Sequence, residues 1–200
     1  MKTLLEGHAR FRKGYWRRHR KRFTALARDG QSPPAMVIAC ADSRVSPEVI
    51  FDCAPGEIFV VRNVSNLVPP YAPDTGNHGT SAALEFAVNA LQVRSIVVLG
   101  HSQCGGIRAL MQGGESGDFI ASWMAIAQSA RTRVCDAPDA EDQTFEALCT
   151  RCEHESIRVS LANLMTFPWI AERVAAGKLT LGGMHFNVQT GKVQEVVSAP

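Results

Sequence analysis

Two short runs in this chain are apolar at every position, Met36-Val-Ile-Ala39 and Ile96-Val-Val-Leu99. A strand with one wet face alternates polar and apolar residues, whereas a run without alternation must bury both faces. Such strands sit inside a sheet covered on two sides, which in practice means parallel strands joined by helical crossovers. The surrounding sequence supplies the crossovers. Residues 3–29 carry a helical apolar period broken near Gly14, and "GQSPP" at 30–34 is a turn, because proline cannot continue a helix. Strands are predicted at 35–41, 56–63 and 94–101, with a helical turn opened by Ser46-Pro47, a loop at 64–77 and a helix at 79–92. Helices follow at 107–112, 118–132, 141–165 and 169–176, and two strands joined at "QTG" close the chain. The predicted fold is α/β: a mainly parallel central β-sheet flanked by helices, with an N-terminal helical arm and an antiparallel edge at the C-terminus. A length of 200 residues makes one domain over 1–200 the default.

Both apolar runs end on chemistry. The first finishes in Cys40-Ala-Asp-Ser-Arg44 and the third strand in His101-Ser-Gln-Cys-Gly-Gly106. In open parallel sheets ligands collect beyond the carboxyl ends of strands where the strand order reverses, so the two segments are expected to face one another there. In an extended chain Cys40, Asp42 and Arg44 would point to the same side. The spacing of His101 and Cys104 lets one tight turn supply two ligands, and two thiolates with one imidazole suit zinc. Asp42 either ligates the metal and closes it or stands back and hydrogen-bonds a bound water. Arg44 competes for that carboxylate through a bidentate pair.

Composition narrows the alternatives. The chain is 46% hydrophobic and 20% charged, as in ordinary globular proteins, and no stretch has the ~18 uninterrupted apolar residues of a membrane helix. No apolar core of a secretory signal follows the N-terminus, so a reducing cytoplasm is expected, with the six cysteines as thiols or metal ligands. Ten of the 21 Lys and Arg residues fall in residues 1–32, interleaved with Leu4, Leu5, Phe11, Tyr15, Phe23 and Leu26. That pattern predicts helices packing on an acidic body or a partner subunit in preference to a nucleic-acid arm. Cys53, Cys135, Cys149 and Cys152 are read as inert core. "CTRC" at 149–152 has redox spacing but falls within a helical period.

"CADSRV" followed some sixty residues later by "GHSQCGG" resembles the β-class carbonic anhydrases, whose motifs are C-x-D-S-R and H-x-x-C. The likeness extends through "GTSAALEFAV" and "VSLANLMTFPWI", and its details resemble the plant-type branch. The resemblance implies zinc on Cys40, His101 and Cys104 with water or Asp42 fourth, and reversible hydration of CO2 by a zinc-bound hydroxide that the Asp42–Arg44 dyad orients. It implies substrate contacts from Gln31 and the Gly105 amide, with Phe59 and Phe86 forming an apolar CO2 pocket partly contributed by a second subunit. A dimer or an assembly of dimers is implied too, with neither nucleic acid nor membrane as partner. An inhibitory bicarbonate site found in some members needs a Trp and a Tyr where this chain has Val37 and Phe186, leaving only Arg62. Two rivals are a carbonyl sulfide or carbon disulfide hydrolase on the same fold and a non-catalytic zinc protein.

Overall fold

The two runs without polar alternation are the central strands. In the computed structural model, which describes residues 1–113 and 117–197, β1 (Ala35–Cys40) and β3 (Ser95–His101) lie side by side. The sheet order is β2–β1–β3–β4–β5, with β2 at Ile58–Asn63, β4 at Thr180–Phe186 and β5 at Val193–Val197. The first four strands pair in parallel, and β5 runs antiparallel to β4 with an irregularity at Gly183/Met184. The expected antiparallel edge is therefore present.

Register explains why the runs have no polar position. Met36 pairs with Ile96 and Ile38 with Val98, and all four side chains enter one core with Ile157, Leu164 and Phe167. The intervening residues Val37, Ala39 and Leu99 face the opposite layer with Val45 and Phe186. Removing one of these large aliphatics costs about 2–5 kcal/mol, because neither layer can collapse onto the gap.

Helix α8 (Phe145–Leu164) lies across β3 and β4 at very short range. A Cβ at Gly100 would stand 2.7 Å from Ile157 Cδ1, and one at Gly183 would stand 2.6 Å from Ile157 Cγ2. Thr144 caps α8 by accepting from the Ala147 N–H at 3.2 Å. Pro168 opens α9 (Pro168–Ala175), where its missing N–H costs nothing.

The N-terminal residues form α1 (Lys2–Lys13) and α2 (Tyr15–Asp29), broken at Gly14 as the periodicity predicts. Neither helix buries a residue completely, and Leu4 and Leu5 remain 77% and 65% exposed. Helix α2 touches the body through Arg22, which bonds the Pro55 carbonyl and pairs with Glu57 at 3.2 Å.

Between β1 and β3 come α3 (Pro47–Ile50), β2 and α4 (Gly79–Glu85). The predicted helix at 79–92 is α-helical only to Glu85; at Phe86–Ala90 it widens to a π turn, closed by the Leu91 N–H to the Phe86 carbonyl. After β3 come α5 (Gly105–Gln112), α6 (Ile120–Met124) and α7 (Gln128–Cys135). The predicted helix at 118–132 is thus two α segments joined by a 3₁₀ turn at Ala125–Ala127. Cys135 ends α7 exposed and Cys53 is half-buried, so of the four cysteines read as core only Cys149 and Cys152 are buried.

Candidate metal centre

The chain leaves β1 to form β2 on one side and returns to form β3 on the other, so the strand order reverses between β1 and β3. Cys40 is the last residue of β1 and His101 the last of β3, which puts both at that reversal. Cys104 follows as the residue before α5. The Cys40, His101 and Cys104 ligand atoms all lie within 4.8 Å of one another, and all three side chains are buried.

The donor chemistry fits a metal. His101 Nδ1 hydrogen-bonds the Ser102 carbonyl at 3.0 Å; as an acceptor, that oxygen holds the proton on Nδ1 and leaves Nε2 a free lone pair. Nε2 is buried without a hydrogen-bond partner, a costly arrangement for a nitrogen with nothing to bind. Beside it stand two thiols that share a proton. The hydrogen bond from Cys104 lowers Cys40 to about 6, while the same contact and then burial push Cys104 up to about 12. Burial pulls the His101 pKa down, but the neighbouring Cys104 thiol and the Ser102 carbonyl outweigh it and raise it.

Asp42 does not join this cluster. After Cys40 the chain turns, with Val45 N–H bonded to the Asp42 carbonyl at 3.0 Å, so the three residues do not project alike from an extended strand. Cys40 is buried and Arg44 exposed. Arg44 takes both carboxylate oxygens of Asp42: Nε donates to Oδ1 at 2.9 Å, Nη2 to Oδ2 at 2.7 Å, and the backbone N–H to Oδ1 at 2.9 Å. That grip holds the Asp42 carboxyl well below the usual carboxylate range. The same guanidinium reaches across to the Gln103 carbonyl at 3.0 Å, tying the β1 turn to the β3 turn.

Three residues at the centre have roles that the sequence did not show: Glu153 and Ser65 gave no signal, and Arg62 stood out only as the remainder of the bicarbonate trio. Arg62 clamps the β1 turn, donating from Nε to the Cys40 carbonyl at 2.9 Å and from Nη2 to the Asp42 carbonyl at 2.6 Å. Glu153, buried on α8, accepts the Cys104 N–H at 3.0 Å and contacts His185 Nε2 at 3.0 Å. Ser65 lies against both sulfurs: its N–H donates to Cys40 Sγ at 3.4 Å and its hydroxyl meets Cys104 Sγ at 3.3 Å. Val37 and Phe186 pack into one apolar cluster.

The remaining expected substrate residues lie elsewhere in the chain. Gln31 is exposed before the amino end of β1, and six residues of strand put that end about 17 Å from Cys40. Phe59 pairs with Met36 in the same half of the sheet, and its ring lies 5.9 Å from that of half-exposed Phe86. Gly105 is different: it begins α5 beside Cys104, where first-turn N–H groups have no partner within the helix. A cleft of about 480 Å³ reaches Cys104 between Arg44, Gln103, Arg108 and Glu153.

Comparison with known proteins converges on one family. Residues 35–193 match the family model described as carbonic anhydrase. Beta carbonic anhydrase 5, chloroplastic, of Arabidopsis thaliana is 46% identical over 162 residues, 80% of this chain and 52% of that protein. The chain therefore spans about half the length of that relative. The structure of the β-carbonic anhydrase CcaA superposes with a TM-score of 0.90 at 35% identity, covering 98% of this chain and 86% of that one. A tetrameric β-carbonic anhydrase from the filamentous ascomycete Sordaria macrospora gives a TM-score of 0.86 at 27% identity, covering 100% and 98%.

Proposed function

Because the chain belongs to the β-class carbonic anhydrases, we propose that it catalyses the reversible hydration of carbon dioxide to bicarbonate and a proton. The observation that carries this reading is the buried, partnerless Nε2 of His101 aimed among two thiols, next to a carboxylate already saturated by Arg44. Cys40, His101 and Cys104 would hold zinc, which supplies a Lewis acid able to make water nucleophilic near neutral pH.

The protein's own groups set the rest. Arg44 holds Asp42 as a fixed, ionised acceptor, and three hydrogen bonds from one residue favour its standing off a metal that Cys40, His101 and Cys104 would hold. Asp42 accepts a hydrogen bond from the attacking water and so turns an oxygen lone pair toward the carbon of CO2. The Gly105 N–H stabilises the bicarbonate oxygen as charge develops. CO2 has no net charge, so the apolar Phe59–Phe86 wall costs it little, and Gln31 gives bicarbonate a hydrogen bond as it leaves.

Phe59 lies in the opposite half of the sheet from Cys40, Phe86 packs against it, and Gln31 precedes the amino end of β1, so we assign the three to the site of a second copy in a dimer or an assembly of dimers. The basic arm over residues 1–32, with Leu4 and Leu5 exposed, packs on that copy. We place the protein in the cytoplasm. No helix among the described residues is long and apolar enough to cross a membrane.

The deciding experiment is stopped-flow CO2 hydration followed with a pH indicator, comparing zinc-replete with chelator-stripped protein. Fast turnover restored by zinc supports the proposal. Zinc bound without CO2 turnover, at pH 7 and again near pH 8.5, refutes it; carbonyl sulfide or carbon disulfide turnover would then identify the sibling chemistry.

A further inference from the structure

Ser65 is completely buried and held at φ 64°, in the left-handed region where a side chain costs energy. The turn is imposed locally. Asn63 folds its amide over it, accepting the Leu67 N–H at 2.9 Å and donating to the Leu67 carbonyl at 2.8 Å. The consequence is that one residue addresses both sulfurs of the metal centre, Cys40 through its N–H and Cys104 through its hydroxyl. Room for the hydroxyl exists only because residue 106 is glycine: a Cβ there would stand 2.1 Å from Ser65 Oγ.

We propose that Ser65 is a positioning residue that donates a hydrogen bond to the Cys104 thiolate and thereby governs the strength and charge of the metal site. This rests on Cys40, His101 and Cys104 holding the metal. A hydroxyl has one proton, and Ser65 Oγ has two sulfur acceptors, Cys104 Sγ at 3.3 Å and the Met124 thioether at 3.8 Å. Once Cys104 is a metal-bound thiolate it cannot donate, and a charged acceptor outcompetes a thioether, so the proton goes to Cys104. Two thiolates give a dication enough charge to blunt its Lewis acidity. A donor on each sulfur draws part of that charge back, which keeps the metal an effective acid while still tightly held.

The test uses the full chain and two variants. Ser65→Ala removes the hydroxyl and keeps the strained Cβ; Ser65→Gly removes the hydroxyl and relieves the strain. Both leave the backbone donor to Cys40 in place. By chelator competition, both variants should bind zinc roughly tenfold to a hundredfold more weakly than the parent. With cobalt(II) in the site, the thiolate-to-metal charge-transfer band should move to lower energy in both, because an undonated thiolate gives up its electron more readily.

Parent-like affinity and spectrum in Ser65→Ala would overturn the proposal and leave the CO2 reading standing. A Ser65→Gly protein that binds zinc as tightly as the parent would also overturn it, since the site would then hold the metal at full strength with no hydroxyl at residue 65. If Ser65→Ala fails to fold, the Gly variant's affinity and band position decide. A parent that binds neither zinc nor cobalt would overturn the metal site itself and this inference with it.

Discussion

Replacing Asp42 with Asn separates catalysis from stability, because the structure gives the two very different magnitudes. The Asp42 side chain is 18% exposed and that of Arg44 43%, so their ion pair is well solvated. Two charges ~4 Å apart attract by ~4 kcal/mol at an effective dielectric of 20, but partly exposed pairs contribute only about 0.5–1 kcal/mol after solvation and side-chain ordering. Asn can still accept from the Arg44 backbone N–H, so the turn survives and the metal ligands do not move. The catalytic loss is larger. Asn turns an NH2 toward Arg44 or toward the water and removes the negative acceptor; losing a placed proton acceptor lowers rates by about 10²–10⁴. Asp42→Asn should therefore bind zinc fully, unfold within about 1 kcal/mol of the parent, and lose 10²–10⁴ in kcat/KM by stopped flow. Asp42, held far below the usual carboxylate range, stays ionised throughout pH 6–9. Any inflection of the parent's rate in that window belongs to another group and must persist in the variant. Turnover within threefold of the parent at full zinc loading, or disappearance of the inflection, would refute this role.

Further predictions concern the metal and the assembly. Cys104→Ser should lose zinc, measured by metal analysis after dialysis, while Cys149→Ser should keep it; a fully loaded Cys104→Ser would remove that ligand. The hydrogen bond that lowers Cys40 to about 6 means that metal-free protein binds fewer protons there than its unfolded chain between about pH 6 and 9. That contribution to stability is present near pH 9 and lost as pH falls toward 6, visible as a falling denaturant midpoint of the apoprotein. Because Cys104 stays protonated to about 12, zinc binding at pH 8 should release at least one proton, read by calorimetry in buffers of different ionisation enthalpy. Gly106→Ala forces a Cβ to within 2.1 Å of Ser65 Oγ. It should destabilise by about 1–3 kcal/mol and weaken zinc binding; unchanged thermal stability would contradict the close approach.

The strand ends were legible in the sequence because their signal is local: unalternated apolar runs must be central strands, and ligands at their carboxyl ends must meet where the order reverses. What escaped notice is non-local. Glu153 stands one residue after Cys152 in a helix whose apolar face accounts for its neighbours, and nothing nearby says that it reaches a backbone amide 49 residues away. Ser65 sits in a Pro- and Asn-rich loop, and its importance depends on a left-handed turn that no spacing rule announces. Arg62 reads as the one charged residue of β2 and as the remnant of a bicarbonate trio, and proves to clamp the turn after β1. Cys135 reads as core because its type is usually buried, whereas its place at the end of α7 leaves it in solvent.

The placement of Gln31, Phe59 and Phe86 carries the reasoning beyond one chain. A parallel sheet gathers ligands at one end only, and Cys40, His101 and Cys104 occupy it. Phe59 belongs to the amino half of β2, Phe86 packs on it from the π turn after α4, and Gln31 precedes the amino end of β1, where their own chain offers no metal ligand cluster among the described residues. Half-exposed Phe86 against Phe59 is a needless loss of burial in a monomer, yet it is a ready wall if the metal end of a second copy faces it. Phe86→Ala would then lower CO2 hydration with little effect on zinc content or on the monomer's own stability. Mixing Phe86→Ala with Cys104→Ser protein under subunit exchange supplies a sharper measurement. In a mixed dimer the Phe86→Ala chain retains the metal, and the Cys104→Ser chain lends it an intact Phe86. Part of the parent activity should return on mixing, whereas purely additive activity would place Phe86 and the metal in the same chain's site.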